Sequence, residues 1–366
     1  MSNIYYIIYT LSRLYMNSII DFYVPIIDNY WDVWFALNLA LIMKSKNPKL
    51  KVRFFSDNEE LFDKMIGDNI KWQCSEIQWR FPSSREWQII QFYKLSDLEN
   101  IIPSKTIFTF FDYKLASDYL EKWEKWKIII QFWYFLLHKW IENLHNTTYE
   151  INWNKFIHFI PSLKENTWGV IIQNYKNKNS KEKYLNYLKS KYNLNIEITH
   201  NLLNKKWISV FVYKDTLNEL IEIIQKRKNE VFFVFDSWKR IQEEKNIFSM
   251  PFLELLDYND FLSLCDCNIV RWENSLWSSL SSWKPTLWDI YKEKNNAHNE
   301  KIDDFLDFLN EKCQYNDILK GFNSNNKKEA FADFLYSSDN YKHLFQDLWN
   351  YINNNCDLYK NLKKIF

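Results

Sequence analysis

Two carboxylates four residues apart, Asp28 and Asp32, stand in the segment Asp28-Asn29-Tyr30-Trp31-Asp32-Val33-Trp34, directly after an apolar run at 19–24. In an open α/β sheet, ligands bind where the carboxyl end of a strand turns into a helix. Two carboxylates in such a turn can face one substrate group, one taking a proton and the other holding the group in place. The plainer use of Asp28 or Asp32 is to cap the helix that follows by accepting from its first free N–H groups. Spacing alone leaves both open.

A second segment, Cys267-Asn268-Ile269-Val270-Arg271-Trp272-Glu273-Asn274-Ser275, again runs from strand into helix. Backbone N–H groups and the Ser275 hydroxyl at a helix start suit a diphosphate, and Arg271 adds a charged, forked donor. Glu273 repels phosphate there unless it serves a sugar hydroxyl or a cationic acceptor; an Arg271–Glu273 surface pair is the alternative. A third group is Ser209-Val210-Phe211-Val212-Tyr213 with Phe252. Aromatic side chains at a strand end can sandwich a nucleobase, although core packing is, for this group taken alone, the better account.

Other chemistries find little support. The six histidines (138, 145, 158, 200, 298 and 343) include no HxH or HExxH spacing, and the five cysteines no CxxC pair. No metal site and no disulfide framework is therefore expected. Neither a GxxxxGK[ST] nor a GxSxG motif is present.

The elements that must position these residues read as βα units. Strands are expected at 19–24, 51–55, 107–111, 127–132, 208–213, 231–235 and 268–271. Helices are expected at 33–44, 59–65, 115–124, 216–226, 258–265 and 301–309. Two α/β halves follow, each a parallel sheet with helices on both faces. The join falls near 161–180, where NYKNKNSKEKY at 174–184 is a Lys/Asn-rich surface run. The expected domains are 16–165 and 166–340, with 1–15 an upstream extension because Met16 directly precedes the first strand. The tail 341–366, with helical spacing at Leu344, Leu348 and Ile352, is expected to return to the first domain.

The 47 Lys+Arg against 46 Asp+Glu leave almost no net charge, which argues against nucleic acid or an anionic membrane as partner. No apolar run approaches the roughly 20 residues that span a bilayer. The N-terminal IYYIIYTL has no basic flank and no small-residue cleavage site, so a cytoplasmic protein is expected.

One count conflicts with this fold. Average usage of about 7% implies roughly 26 glycines, yet the chain has 3, beside 18 tryptophans. A large α/β protein needs glycine for its turns and close contacts. Tryptophan stands in turn-like company at Asn29-Tyr30-Trp31-Asp32, Thr167-Trp168-Gly169 and Ser282-Trp283-Lys284-Pro285. UGA is read as tryptophan in one variant genetic code and as glycine in another, so many of these tryptophans are expected to be glycine in the organism. A chain that is truly rich in tryptophan is the alternative.

With these residues in view, the chain resembles the elongation factor P arginine rhamnosyltransferases, the EarP family, from about residue 22 to about residue 308. That family opens with a DNFGDIG-like loop where this chain has DNYWDVW. It carries CDxNFVRGEDS, a GRP or GKP turn, WxIY and HxxKLxxFL; here stand CDCNIVRWENS, SWKP, WDIY at 288–291 and HNEKIDDFL at 298–306. IPSLKENTWGV at 160–170 is similar to a family FPGFTPKTGGL, and Trp140 and His145 fall at family Trp and His positions. At Trp31, Trp34, Trp168, Trp272 and Trp283 the family has glycine, whereas Trp140 and Trp288 match family tryptophans. The chain departs from the family at Asn274, an Asp there, at Leu255, where a Gln is expected, and at QFWYFLLH (131–138).

The resemblance implies a GT-B fold, two Rossmann-like domains facing across a cleft. It implies transfer of L-rhamnose, with inversion, from TDP-β-L-rhamnose to an arginine of elongation factor P, without metal or other cofactor. By position, Asp28 is the general base and Asp32 its partner near the acceptor guanidinium, with Asn29 and Tyr30 on the same loop. Arg271, Glu273, Asn274 and Ser275 fall at the donor's diphosphate and sugar, Glu273 being counted with the catalytic carboxylates. Ser209, Phe211, Tyr213 and Phe252 fall at the thymidine end. A GT-B transferase with another nucleotide sugar or acceptor, or a non-catalytic binder of elongation factor P, are the other readings.

Overall fold

The computed structural model describes residues 19–25, 30–57, 75–79, 88–110, 126–133, 140–164, 167, 169–171, 180–235, 246–292, 297–309 and 314–362. Asp28, Asn29, Trp168 and the helices expected at 59–65 and 115–124 lie outside the described residues. The chain divides into two units, Met1–Ile171 with Asn354–Phe366, and Ile172–Asn353.

In the first unit, β1 (Ile19–Tyr23), β2 (Lys51–Ser56), β3 (Ser75–Trp79), β4 (Gln88–Lys94), β5 (Thr106–Phe110), β6 (Ile128–Phe132), β7 (Thr148–Ile151) and β8 (Asn154–Phe159) form one sheet. Its order is β3-β4-β2-β1-β5-β6-β8-β7. All neighbours are parallel except the edge strands β3 and β7, which pair antiparallel. The central strands read as unbroken apolar runs because parallel strands bury both faces; every residue of β5 is buried. Phenylalanines at matching register cross the sheet: Phe92, Phe54, Phe22 and Phe108 on successive strands, then Phe110, Phe132 and Phe159. Their centroids lie 4.4–5.3 Å apart between neighbours, a spacing at which aromatic pairs add about 0.5–1.5 kcal/mol beyond burial.

Helix α1 (Tyr30–Lys46) follows β1 and lays Phe35 on Phe110 and Phe132 at 6.0 and 5.9 Å. It begins three residues before the expected start at Val33, so Trp31 and Trp34 are helical rather than in a turn. Asp32 in its first turn and Lys44 and Lys46 in its last complement the helix dipole. The buried Lys44 ammonium donates to the carbonyl of Leu50 (2.7 Å), and burial lowers its pKa. A short helix, α2 (Ile141–Leu144), precedes β7.

In the second unit, β9 (Lys206–Val210), β10 (Glu230–Phe235), β11 (Ile247–Met250), β12 (Cys267–Arg271) and β13 (Thr286–Asp289) form a wholly parallel sheet in the order β11-β10-β9-β12-β13. The helices are α3 (Lys181–Tyr192), α4 (His200–Asn204), α5 (Lys214–Lys226), α6 (Leu255–Leu264), α7 (Glu273–Ser281), α8 (Ala297–Leu309), α9 (Gln314–Phe322), α10 (Lys327–Ser337) and α11 (Lys342–Asn355). The strand expected over 208–213 ends at Val210, because the Tyr213 N–H leaves the ladder for the Asp289 carboxylate (2.9 Å) and α5 begins at the next residue.

Past α11 the chain rejoins the first unit. The Val170 N–H donates to the Cys356 carbonyl (2.8 Å), the Leu358 N–H returns to Val170 (3.0 Å), and α12 (Leu358–Leu362) packs on α1. Gly169 permits this approach: its φ is +81°, and a Cβ there would lie 2.0 Å from the Cys356 carbonyl oxygen.

Candidate functional site

Numbered in chain order, the parallel strands run 3-2-1-4-5-6 in the first sheet and 3-2-1-4-5 in the second. Both are dinucleotide-fold orders, and both reverse beside their first strand, which opens a crevice at the carboxyl ends for a ligand. The reversal lies between β1 and β5 in one unit and between β9 and β12 in the other. The Asp28–Trp34 segment, the Trp272–Ser275 segment and Phe211–Tyr213 therefore follow strands at a reversal, whereas Phe252 follows the edge strand β11.

In the first unit, the chain leaving β1 enters α1, whose first residue is Tyr30 and whose third is Asp32. The Asp32 side chain is fully buried.

In the second unit the pieces converge. The Phe211 N–H donates to the Ile269 carbonyl (2.8 Å), tying the end of β9 to β12. Arg271 ends β12, its guanidinium carbon 4.2 Å from the Phe211 ring centroid, 4.3 Å from that of Trp272 and 5.4 Å from that of Tyr213. Such stacked cations are favoured by the ring quadrupole. Glu273 opens α7 and pairs with Lys301 at 3.5 Å, while Asn274 and Ser275 are buried in the same first turn. Phe211, Tyr213, Arg271, Glu273, Asn274 and Ser275 are thus gathered at one end of the sheet. Ser209 is elsewhere: fully buried within β9, it donates to the Asn268 side-chain carbonyl at 2.6 Å. Phe252 stands two residues past β11, half exposed.

Two buried nodes hold these segments; Asp289 of the first falls within WDIY, but no motif marked Lys327 or the second node. Asp289, ending β13, accepts from the Tyr213 N–H (2.9 Å), the Thr216 hydroxyl (3.0 Å) and the Lys327 ammonium (3.3 Å). Lys327 also donates to Thr216 at 2.6 Å, and both charged side chains are at most 3% exposed. Burial raises the Asp289 carboxyl, with Lys327, the Tyr213 N–H and Thr216 opposing. The second node is Asp257 on α6, whose carboxylate accepts from Tyr187, Lys191 and Tyr192 of α3. The Glu254 N–H donates to the Tyr192 oxygen (2.9 Å), which fixes the loop carrying Phe252. Burial, and secondly the Asp257 charge, push the nearby Asp260 up to about 6.

The remaining motif residues are structural. Asp266 accepts from the Trp207 N–H and from Lys181, both at 2.8 Å, fastening the start of β9. Burial raises the thiols of Cys265 and Cys267, the latter to about 12, which suits neither a nucleophile nor a ligand. His145 is buried, held down to about 3 by that burial, and accepts from the Ile160 N–H at 3.2 Å as a neutral ring. Among the described residues no three His, Cys, Asp or Glu side chains converge as a metal site, and no helix is long and apolar enough to cross a membrane.

The sequence profile of the family described as "Elongation-Factor P (EF-P) rhamnosyltransferase EarP" matches residues 20–366. The chain belongs to this EarP family. Curated relatives include a protein-arginine rhamnosyltransferase of Pseudomonas putida, 40% identical over 57 residues, and one of Neisseria meningitidis, 34% identical over 58. Each alignment covers 16% of this chain, and the chain spans only 15% of the length of these relatives. The solved structure described as "Structural basis for EarP-mediated arginine glycosylation of translation elongation factor EF-P" superposes with a TM-score of 0.56 at 13% identity, over 94% of this chain and 97% of that one. This EarP-family chain has the GT-B glycosyltransferase fold.

Proposed function

We propose that the chain transfers L-rhamnose from TDP-β-L-rhamnose to an arginine side chain of elongation factor P in the cytoplasm, inverting the anomeric centre. The family match over nearly the whole chain carries this reading, and the two strand-order reversals support the placing of its parts.

An arginine guanidinium is a poor nucleophile, since its pKa lies above about 12 and its lone pairs are delocalised. Carboxylates answer both difficulties by clamping the group and removing its proton as the new bond forms. In the proposed step the guanidinium nitrogen attacks the anomeric carbon, the bond from that carbon to the diphosphate oxygen breaks, and TDP leaves with the electron pair. The nitrogen's proton goes to Asp28, while the fully buried Asp32 orients the acceptor. Arg271, beside the first turn of α7 that bears Asn274 and Ser275, receives the charge growing on the diphosphate. Glu273 serves the sugar, with Lys301 limiting its repulsion of phosphate. Phe211, Tyr213 and Phe252 hold the thymine end, while Ser209 ties β9 to β12 through Asn268.

The test uses the chain isolated from its own organism, incubated with elongation factor P and TDP-rhamnose. A mass gain of one deoxyhexosyl group on an arginine peptide is expected; unmodified elongation factor P in that mixture, with modification from a UDP-sugar, overturns the donor assignment. For the diphosphate role, Arg271→Ala is expected to weaken TDP binding about tenfold or more by calorimetry. Unchanged affinity removes Arg271 from it.

A further inference from the structure

Among the described residues other than glycine, positive φ occurs at three asparagines, Asn146, Asn152 and Asn193, and at four tryptophans: Trp126 (+79°), Trp153 (+66°), Trp272 (+54°) and Trp283 (+63°). Left-handed backbone drives Cβ toward the following carbonyl. Asparagine tolerates this through local hydrogen bonds and glycine escapes it, but an indole offers neither relief.

Local geometry at these tryptophans asks for glycine. Asn152 and Trp153 form the two-residue connection between β7 and β8, both at positive φ, with Ile151 paired to Asn154 across the turn. That is the type I′ hairpin, for which Asn-Gly is the favoured pair. Trp283 follows the last residues of α7, and its N–H returns to the Leu280 carbonyl at 3.1 Å. This is the left-handed position just past a helix end, where glycine prevails. Trp272, at φ +54° and ψ +146°, borders the extended positive-φ region that only glycine enters freely. Its ring lies edge-on to Phe211 at 5.3 Å as well as over Arg271.

Side-chain surroundings set three of these tryptophans apart from two that lie in the core. Trp207 and Trp288 are fully buried, packing on Phe233 at 5.0 Å and Phe305 at 5.8 Å. By contrast, about half or more of the residue surface is exposed at Trp126, Trp153 and Trp283. The Trp126 and Trp153 rings lie 5.6 Å apart, a contact between two exposed indoles rather than a place in the core.

We infer that positions 126, 153, 272 and 283 are glycine in the protein its own organism makes, each written as UGA, and that glycine at 272 uncovers Arg271 for its ligand. Conformation supports this at two positions, 126 and 153, that no family motif covers. It makes no such demand at Trp31 and Trp34, which are helical.

Codons and peptide masses test the inference directly. UGA is expected at 126, 153, 272 and 283, UGG at 207 and 288, and tryptic peptides from the native host should carry glycine at the four former positions. UGG codons or tryptophan-bearing peptides at those four positions overturn it. In the recombinant tryptophan-bearing chain, Trp153→Gly and Trp283→Gly should each raise Tm by about 2–4 °C, whereas Trp207→Gly should lower it. Unchanged or lower Tm in both former variants overturns the conformational argument. The final clause rests on the donor reading. Trp272→Gly should tighten TDP binding about tenfold; glycine proved by mass but no gain in affinity overturns that clause alone.

Discussion

The Asp28→Asn chain is expected to transfer rhamnose about 10²–10⁴-fold more slowly than its parent while binding TDP within a few-fold. The amide keeps the size of the carboxylate and its place after β1, but it cannot take the guanidinium proton as the carbon–nitrogen bond forms. The donor groups belong to a different strand reversal, so their affinity provides the control. Asp32→Asn separates the two uses of the second carboxylate. Buried in the first turn of α1, it adds to stability through the helix dipole by about 0.3–1 kcal/mol, up to about 2 kcal/mol when partly buried. If that is its whole role, the variant melts earlier and turns over normally. If it also orients the acceptor, kcat falls while Tm changes modestly. Single-turnover rates with quenched-flow mass detection distinguish these, and near-parental turnover by Asp28→Asn removes it as the base.

Which parts of this arrangement were legible depends on how far apart in the chain their causes lie. β1, β2, β5 and β6 announce themselves as apolar runs because both faces are buried, and the carboxylate and Arg271 segments follow from the strands before them. The hairpin β7–β8 was hidden because its turn signal reads Asn152-Trp153 where Asn-Gly would have marked it. α3 was hidden by composition: KEKYLNYLKSKY is a charged surface except for Tyr184, Leu185 and Leu188, which are buried. Its start at Lys181, capped by Ser180, lies inside the run read as solvated surface.

The glycine deficit and the positive-φ tryptophans bear on one another. Composition alone says that glycines are missing without saying where. Backbone conformation says where four of them stand, from torsions rather than from any motif. The positions coincide with the resemblance at 272 and 283 and extend it to 126 and 153.

The pairing of Asp289 with Lys327 was not legible in the sequence, since the two residues are 38 apart in the chain and no motif joins them. Lys327→Met is expected to destabilise the chain by about 3–5 kcal/mol at pH 8, because it leaves the Asp289 carboxylate buried without its cation. Thr216 and the Tyr213 N–H remain as partners but carry no net charge. The pH dependence fixes the cause. Asp289 already sits above its ordinary value with Lys327 present, and losing the ammonium raises it further. A carboxyl raised on folding favours the native state below its unfolded pKa, and that contribution is lost as pH rises through the folded value. The variant should therefore recover stability on going from pH 8 toward pH 5, where the neutral carboxyl needs no counter-charge. The double variant Asp289→Asn with Lys327→Met should lie closer to the parent than Lys327→Met alone, since no isolated charge remains. Because Asp289 also holds the Tyr213 N–H, Lys327→Met should weaken TDP binding even at temperatures where it is fully folded. Urea denaturation followed by circular dichroism at both pH values reads the first effect. A loss under about 1 kcal/mol at pH 8 would show that solvent, not Lys327, balances this carboxylate.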